Sequence, residues 1–256
     1  MNADSVEFRR GVVAPLECIR EGWELIREQY WPFLLVSFVG GTLGGVFPIL
    51  LIGPMTVGIF LSLQKLQRDL PVDFWTLFKG FKWFVPSLVV SVLKMILTLI
   101  VIVIVLIPYY ILLFRMMAVM IPNGQNPSPE ESQQFLWLFI GFEIIFLLLV
   151  ISVGLLMEIF FMLAYPLLAD HRMSGMAAVK LSLRAGKANA GGILGLLMLN
   201  VLFGIVGLLC CIVGVCFYLP IAFASQAVAY RRIFPDTGTT SLSPTTGSNS
   251  CTLPNL

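Results

Sequence analysis

Apolar residues fall into four long blocks, Trp31 to Leu66, Val85 to Ile121, Phe135 to Leu168 and Ala190 to Tyr230, with short polar stretches between them. A transmembrane helix rises about 1.5 Å per residue and needs about 20 apolar residues to cross a hydrocarbon core of about 30 Å. Every block is longer than that. In the first, Pro48, Gly53 and Pro54 favour two short helices joined near Phe47 to Gly53 over one bent rod. The last block turns near Leu209 to Gly214, and the stretch Pro122 to Gln134, with its Pro, Asn, Gly and Ser residues, reads as an extramembrane loop.

Charge decides the side on which each segment lies. Arg9, Arg10, Arg20 and Arg27 precede the first span, and Lys65, Arg68, Lys79 and Lys82 lie between the second and third. Arg172, Lys180, Arg184 and Lys187 separate the fourth from the fifth, and Arg231 and Arg232 follow the sixth. The Pro122 to Gln134 loop carries Glu130 and Glu131 and no basic residue. Basic residues mark the cytoplasmic side, so this pattern predicts six spans with both ends in the cytoplasm. The third and fourth spans are long: they tilt and project outward, or the third breaks near Pro108.

A shorter apolar period precedes each pair of spans. Leu16, Ile19, Trp23, Ile26 and Tyr30 recur at helical spacing; so do Phe74, Leu77, Phe78, Phe81 and Phe84 after a cap at Asp73, and Met176, Val179 and Leu183 after Ser174. The chain thus reads as three units of amphipathic interfacial helix plus transmembrane hairpin. Pro54 lies eleven residues before Lys65 and Pro220 eleven before Arg231, a correspondence between the first and third units. The expected fold is all-α: a polytopic six-span membrane domain over 15–234, preceded by a cytoplasmic segment over 1–14 and followed by a disordered cytoplasmic tail over 235–256.

Composition agrees, with 58% hydrophobic and 12% charged residues and a mean hydropathy of +0.94. The formal net charge of +2 gives no reason to expect nucleic acid. No cleaved secretory signal is expected, because Met1 to Glu28 lacks a short apolar core ending in small residues.

Charged groups inside apolar segments are the functional candidates: Lys94, Arg115, Glu143 and Glu158. An antiparallel hairpin brings Arg115 level with Glu143 and Lys94 level with Glu158, although the two pairings imply hairpin centres about three residues apart. They read as ion pairs that fix the hairpin; a polar path for a proton, ion or headgroup is the alternative. Gly40, Gly41, Gly44 and Gly45, and Gly191 with Gly195, have the small-xxx-small spacing of close helix packing. Cys210, Cys211 and Cys216 lack a nearby His, Asp or Glu to complete a metal site and read as small apolar filling; neither metal nor cofactor is expected. His171 is the only histidine, so serine-histidine and zinc-hydrolase mechanisms lack their parts, and the expectation is a non-enzyme.

Five segments carry a family resemblance: EGWELIREQYWPFLL (Glu21 to Leu35), IGPMTVGIF (Ile52 to Phe60), LFKGFKWFVPSL (Leu77 to Leu88), AYPLLAD (Ala164 to Asp170) and AVAYRRIF (Ala227 to Phe234). With them the chain resembles a group of uncharacterised bacterial six-span integral membrane proteins, similar to the membrane domain of glycerophosphodiester phosphodiesterases and to YciC-like inner-membrane proteins. The resemblance implies a membrane fold without the attached catalytic domain. Two functions follow as expectations: an organising or accessory component that works with membrane lipids, another membrane protein or a second copy of itself, or a transporter or channel-like protein for a lipidic or small apolar solute.

Overall fold

The computed structural model describes residues 7–120, 129–171, 173–209 and 213–235, and these form helices and no strands. The ten α-helices are α1 (Pro15–Ile26), α2 (Tyr30–Val46), α3 (Ile52–Leu66), α4 (Trp75–Phe78), α5 (Phe84–Met120), α6 (Pro129–Phe161), α7 (Ala164–His171), α8 (Gly175–Ala188), α9 (Ala190–Leu209) and α10 (Val213–Ile233). The expected tail lies outside the described residues apart from Pro235, as do Cys210 and Cys211 and the first part of the polar loop. The rest of that loop is helix, because α6 begins at Pro129. A proline in the first turn costs no helical hydrogen bond, and Glu130 beside it suits the positive end of the helix.

Three helical runs are long and apolar enough to cross a membrane: Trp75–Arg115, Gln133–His171 and Ala190–Leu209. Only 11% of the most apolar stretch of each of the first two is covered by the rest of the protein, so these surfaces demand an apolar surrounding. The helices at the other three expected span positions are α2 with 17 residues, α3 with 15, and α10, whose 21 residues include two terminal arginines. Helix α5 runs through Pro108 without a break and reaches 37 residues, roughly 55 Å at helical rise. The break comes in its partner instead. A turn at 162–163 divides α6 from α7, where Pro166 cannot donate to the carbonyl one turn back.

Helix α1, helix α4 and helix α8 all lie at one end of the bundle, its base. Each packs on the hairpin of the preceding unit: α4 on α3, α8 on α5 and α6, and α1, which has no unit before it, on α9 and α10. Glycines in the surface segments permit the approach, two of them in α8, where Gly175 also meets Pro86 of α5. A Cβ on Gly22 would stand 2.8 Å from Ser225 N of α10, one on Gly80 2.0 Å from Pro54 O of α3, and one on Gly186 2.7 Å from Ile159 O of α6. Gly58, four residues after Pro54, meets Leu77 in the same way; Ala224, four after Pro220, meets Gly22. The first and third units therefore correspond in packing as well as in proline position.

The buried faces of the surface helices differ from the expected stripes. In α1 the covered residues are Cys18, Gly22 and Ile26, while Leu16 is 71% exposed and Trp23 is exposed too. Thr76, Leu77 and Gly80 are buried in the second segment and Trp75 and Phe81 are not; α8 buries Ala178, Val179, Ser182, Ala185 and Gly186 and leaves Met176 outside. Small residues let backbones approach, and where the surroundings are apolar large side chains gain little by leaving them. The second segment is also no single helix. After Asp73, whose carboxylate accepts from the Trp75 amide, α4 gives way at once to a 3-10 turn (Lys79–Trp83) that runs into α5.

Candidate functional site

Side chains from α2, α3, α5, α6, α7 and α10 enclose a cleft of about 810 Å³. Its walls change character along the bundle axis. At about 1.5 Å per residue, Ser91 and Lys94 lie roughly 10 and 15 Å from the start of α5, and Ile102 roughly 27 Å from it. Polar groups gather toward the base: Ser91, Lys94, Glu158, Tyr165 and Gln226. The far end is apolar, lined by Ile49, Ile52 and Ile102 and by the open face of Gly45.

The floor is an ion pair. Lys94 Nζ of α5 stands 2.5 Å from Glu158 Oε2 of α6, and the two side chains keep 28% and 35% of their surface accessible. Beside it the hydroxyls of Ser91 and Tyr165 are 3.2 Å apart, linking α5 to α7. Lysine has three donors and a carboxylate two oxygens, so this contact leaves hydrogen-bonding capacity facing the cleft. Among the described residues no cluster of three His, Cys, Asp or Glu side chains could hold a metal.

Of the other two charged candidates, Glu143 and Arg115 are not brought together. Glu143 accepts from the hydroxyl of Tyr109, whose ring lies against Phe142 and Phe146 of α6. Arg115 is exposed and in no ion pair among the described residues. The sequence contained the correct partner. Once Lys94 and Glu158 fix the register, the residue opposite Glu143 is Tyr109, because each is fifteen residues along its helix from its member of that pair.

The glycines divide by role. A Cβ on Gly40 would meet Ile59 and Leu77 at 3.0 Å, and one on Gly44 the Ile52 backbone at 3.3 Å, so these two seat α2 on α3. Gly41 faces Leu219 of α10, and Gly45 meets nothing within 4 Å and borders the cleft. In α9, Gly195 packs on Pro15 as a small residue should. Gly191 has open space around it, so its expected packing role is corrected: the close contact belongs to Gly192, against Val13 O.

At the base, Arg232 of α10 donates to Glu21 at 2.6 Å and pairs with Glu17 at 2.8 Å, one turn apart on α1. The bond to Glu21 raises the arginine's pKa further, so it is charged at every accessible pH. Cys18 lies buried between the two glutamates in sequence, and its burial pushes the thiol above the usual range.

Comparison with protein-family models, with curated proteins and with solved structures found no match.

Proposed function

We propose that this chain is a six-span protein of the bacterial inner membrane with both ends in the cytoplasm, and that it binds a lipidic solute in the cleft between its helices and carries or presents it. The observation that carries the binding role is the cleft itself: about 810 Å³, apolar at one end and polar at the other. That volume lies within the roughly 300–1,000 Å³ of small-molecule sites.

Support for the topology comes from the base. Lys79, Lys82, Lys180 and Lys187 are exposed there, beside Trp75, Phe81 and Met176. Lysines among exposed aromatic and aliphatic side chains suit the headgroup level of an anionic inner leaflet, with the surface helices lying in the interface. Helices α2, α3 and α10 then cross beside the three longer runs: α3 packs on α5 and α7, α10 on α9, and α2 on α3 and α10. Kinship with the membrane domain of glycerophosphodiester phosphodiesterases and with YciC-like proteins stays part of this reading, on the sequence segments that suggested it. The organising role is the second reading, favoured by the tightly packed base, where Gly22, Gly80 and Gly186 lock the three units together.

Native mass spectrometry of the full chain in nanodiscs tests the proposal. Lipid retained by the wild type and lost from Gly45→Trp, which fills the open end of the cleft, is the expected result. Equal retention by both proteins overturns it.

A further inference from the structure

The floor of the cleft specifies the head group of its occupant. Lys94 and Glu158 satisfy one another at 2.5 Å, so the floor has no net charge to offer. An anionic head that accepts from a free Lys94 N–H stands beside the Glu158 carboxylate, and a cationic head that donates to the free Glu158 oxygen stands beside the Lys94 ammonium. Either arrangement sets like charges side by side in a partly enclosed, largely apolar cleft, which is unfavourable. A hydroxyl faces no such choice, since it donates and accepts at one atom. It can accept from a free Lys94 N–H while donating to the Glu158 oxygen that has no protein partner among the described residues. Gln226 offers a further neutral donor and acceptor on the opposite wall. Above the floor, Ile49, Ile52 and Ile102 can contact only hydrocarbon.

From this geometry we infer that the cleft takes an uncharged amphiphile with a hydroxyl-bearing head and a hydrocarbon chain, in preference to fatty acids and cationic amphiphiles. The inference rests on the lipid-binding reading of the cleft and adds to it the head-group class.

The test uses full-length protein in phosphatidylcholine nanodiscs doped with equal mole fractions of monoolein, oleate and oleylamine, with native mass spectrometry counting what is retained. Monoolein should exceed each charged probe by about tenfold or more, and Gly45→Trp should abolish that retention. Oleate or oleylamine retained as well as monoolein, and lost from Gly45→Trp, overturns the head-group inference and leaves the lipid-binding reading standing. Retention of no probe above the Gly45→Trp level overturns both. Glu158→Gln supplies an independent arm, because it frees the lysine: oleate retention should rise relative to monoolein by about tenfold. An unchanged ratio in a monodisperse variant overturns the role given to the ion pair.

Discussion

Tyr109 donates its hydroxyl to the carboxylate of Glu143 in the same helix register that sets Lys94 against Glu158. Two polar contacts thus pin a pair of helices whose facing surfaces are otherwise almost wholly aliphatic and aromatic. Apolar side chains in an apolar solvent specify register weakly, whereas a misplaced charge is expensive, so the two contacts select one alignment among many of similar packing.

Lys94 and Glu158 should be energetically coupled. Removing either alone strands the other, and removing both does not. Lys94→Met and Glu158→Gln, singly and together, should give a coupling of about 1–3 kcal/mol by thermal unfolding in nanodiscs, below the roughly 3–5 kcal/mol of breaking a fully buried pair because both groups are partly accessible. Additive single effects would show that the contact does not fix the hairpin.

Tyr109 and Arg115 offer a contrast on the same helix. Tyr109→Phe should lower the midpoint of thermal unfolding, since it leaves the Glu143 carboxylate without its donor. Arg115→Gln should fall within about 0.5 kcal/mol of wild type, as expected for an exposed side chain without a partner. The reverse order would restore the pairing of Arg115 with Glu143.

That contrast also marks how far the residues themselves disclose the structure. Lys94 and Glu158 could be paired from sequence because charges inside apolar runs are few, and a hairpin centre follows from where the loop lies. Tyr109 could not be selected by the same rule, because tyrosine is equally at home at a headgroup interface and inside a hairpin. The first and third surface segments were legible as helices from their spacing, but the inward faces of all three were not: counting large apolar residues misses the small ones, Cys18, Gly22, Gly80, Ala185 and Gly186 among them, that these segments bury. The glycines of these segments were the missed signal: Gly22, Gly80 and Gly186 each stand within a surface segment, the last of them two residues before the end of α8. The cleft left no mark in the sequence beyond its floor, because its walls come from six separate helices.

Glycine substitutions should separate packing from mere spacing. Gly58→Ala places a methyl 2.0 Å from the Leu77 carbonyl and Gly80→Ala one 2.0 Å from that of Pro54, clashes with backbone that cannot rotate away. Each should cost about 1–3 kcal/mol or more by thermal unfolding. Gly191→Ala meets nothing within 4 Å and should be neutral or stabilising by up to about 1 kcal/mol through helix propensity. Similar losses at all three positions would mean that tolerance does not follow these contacts.

Topology is open to a direct check in whole cells. With native cysteines replaced, Gln133→Cys at the exposed start of α6 should react with a membrane-impermeant maleimide from outside, and Lys180→Cys on α8 only after permeabilisation. The opposite pattern would invert the protein, and labelling of both from outside would require an even number of spans between them.

Cys18 reports whether α1 is docked. Its side chain is wholly buried against α10, and burial disfavours the thiolate, raising the thiol above its ordinary 9.0; the nearby Arg232 charge opposes that rise in part. The folded thiol therefore keeps its proton at pH values where the unfolded chain has released it. Its contribution to stability is complete below pH 9.0 and is lost as pH climbs through the raised folded value. With Cys210, Cys211, Cys216 and Cys251 replaced by serine, iodoacetamide at pH 8 should label Cys18 at least about tenfold more slowly than in denaturant, because thiolate and access are both scarce. Arg232→Ala then distinguishes two effects of opposite sign. Removing the arginine's charge raises the thiol pKa further, which by itself slows labelling, whereas losing its bonds to Glu17 and Glu21 releases α1 and speeds it. Faster labelling in the variant means that Arg232 holds the helix down. Slower labelling means that α1 stays seated on its small-residue face, with Gly22 against Ser225, and that the arginine acts on Cys18 through its charge alone.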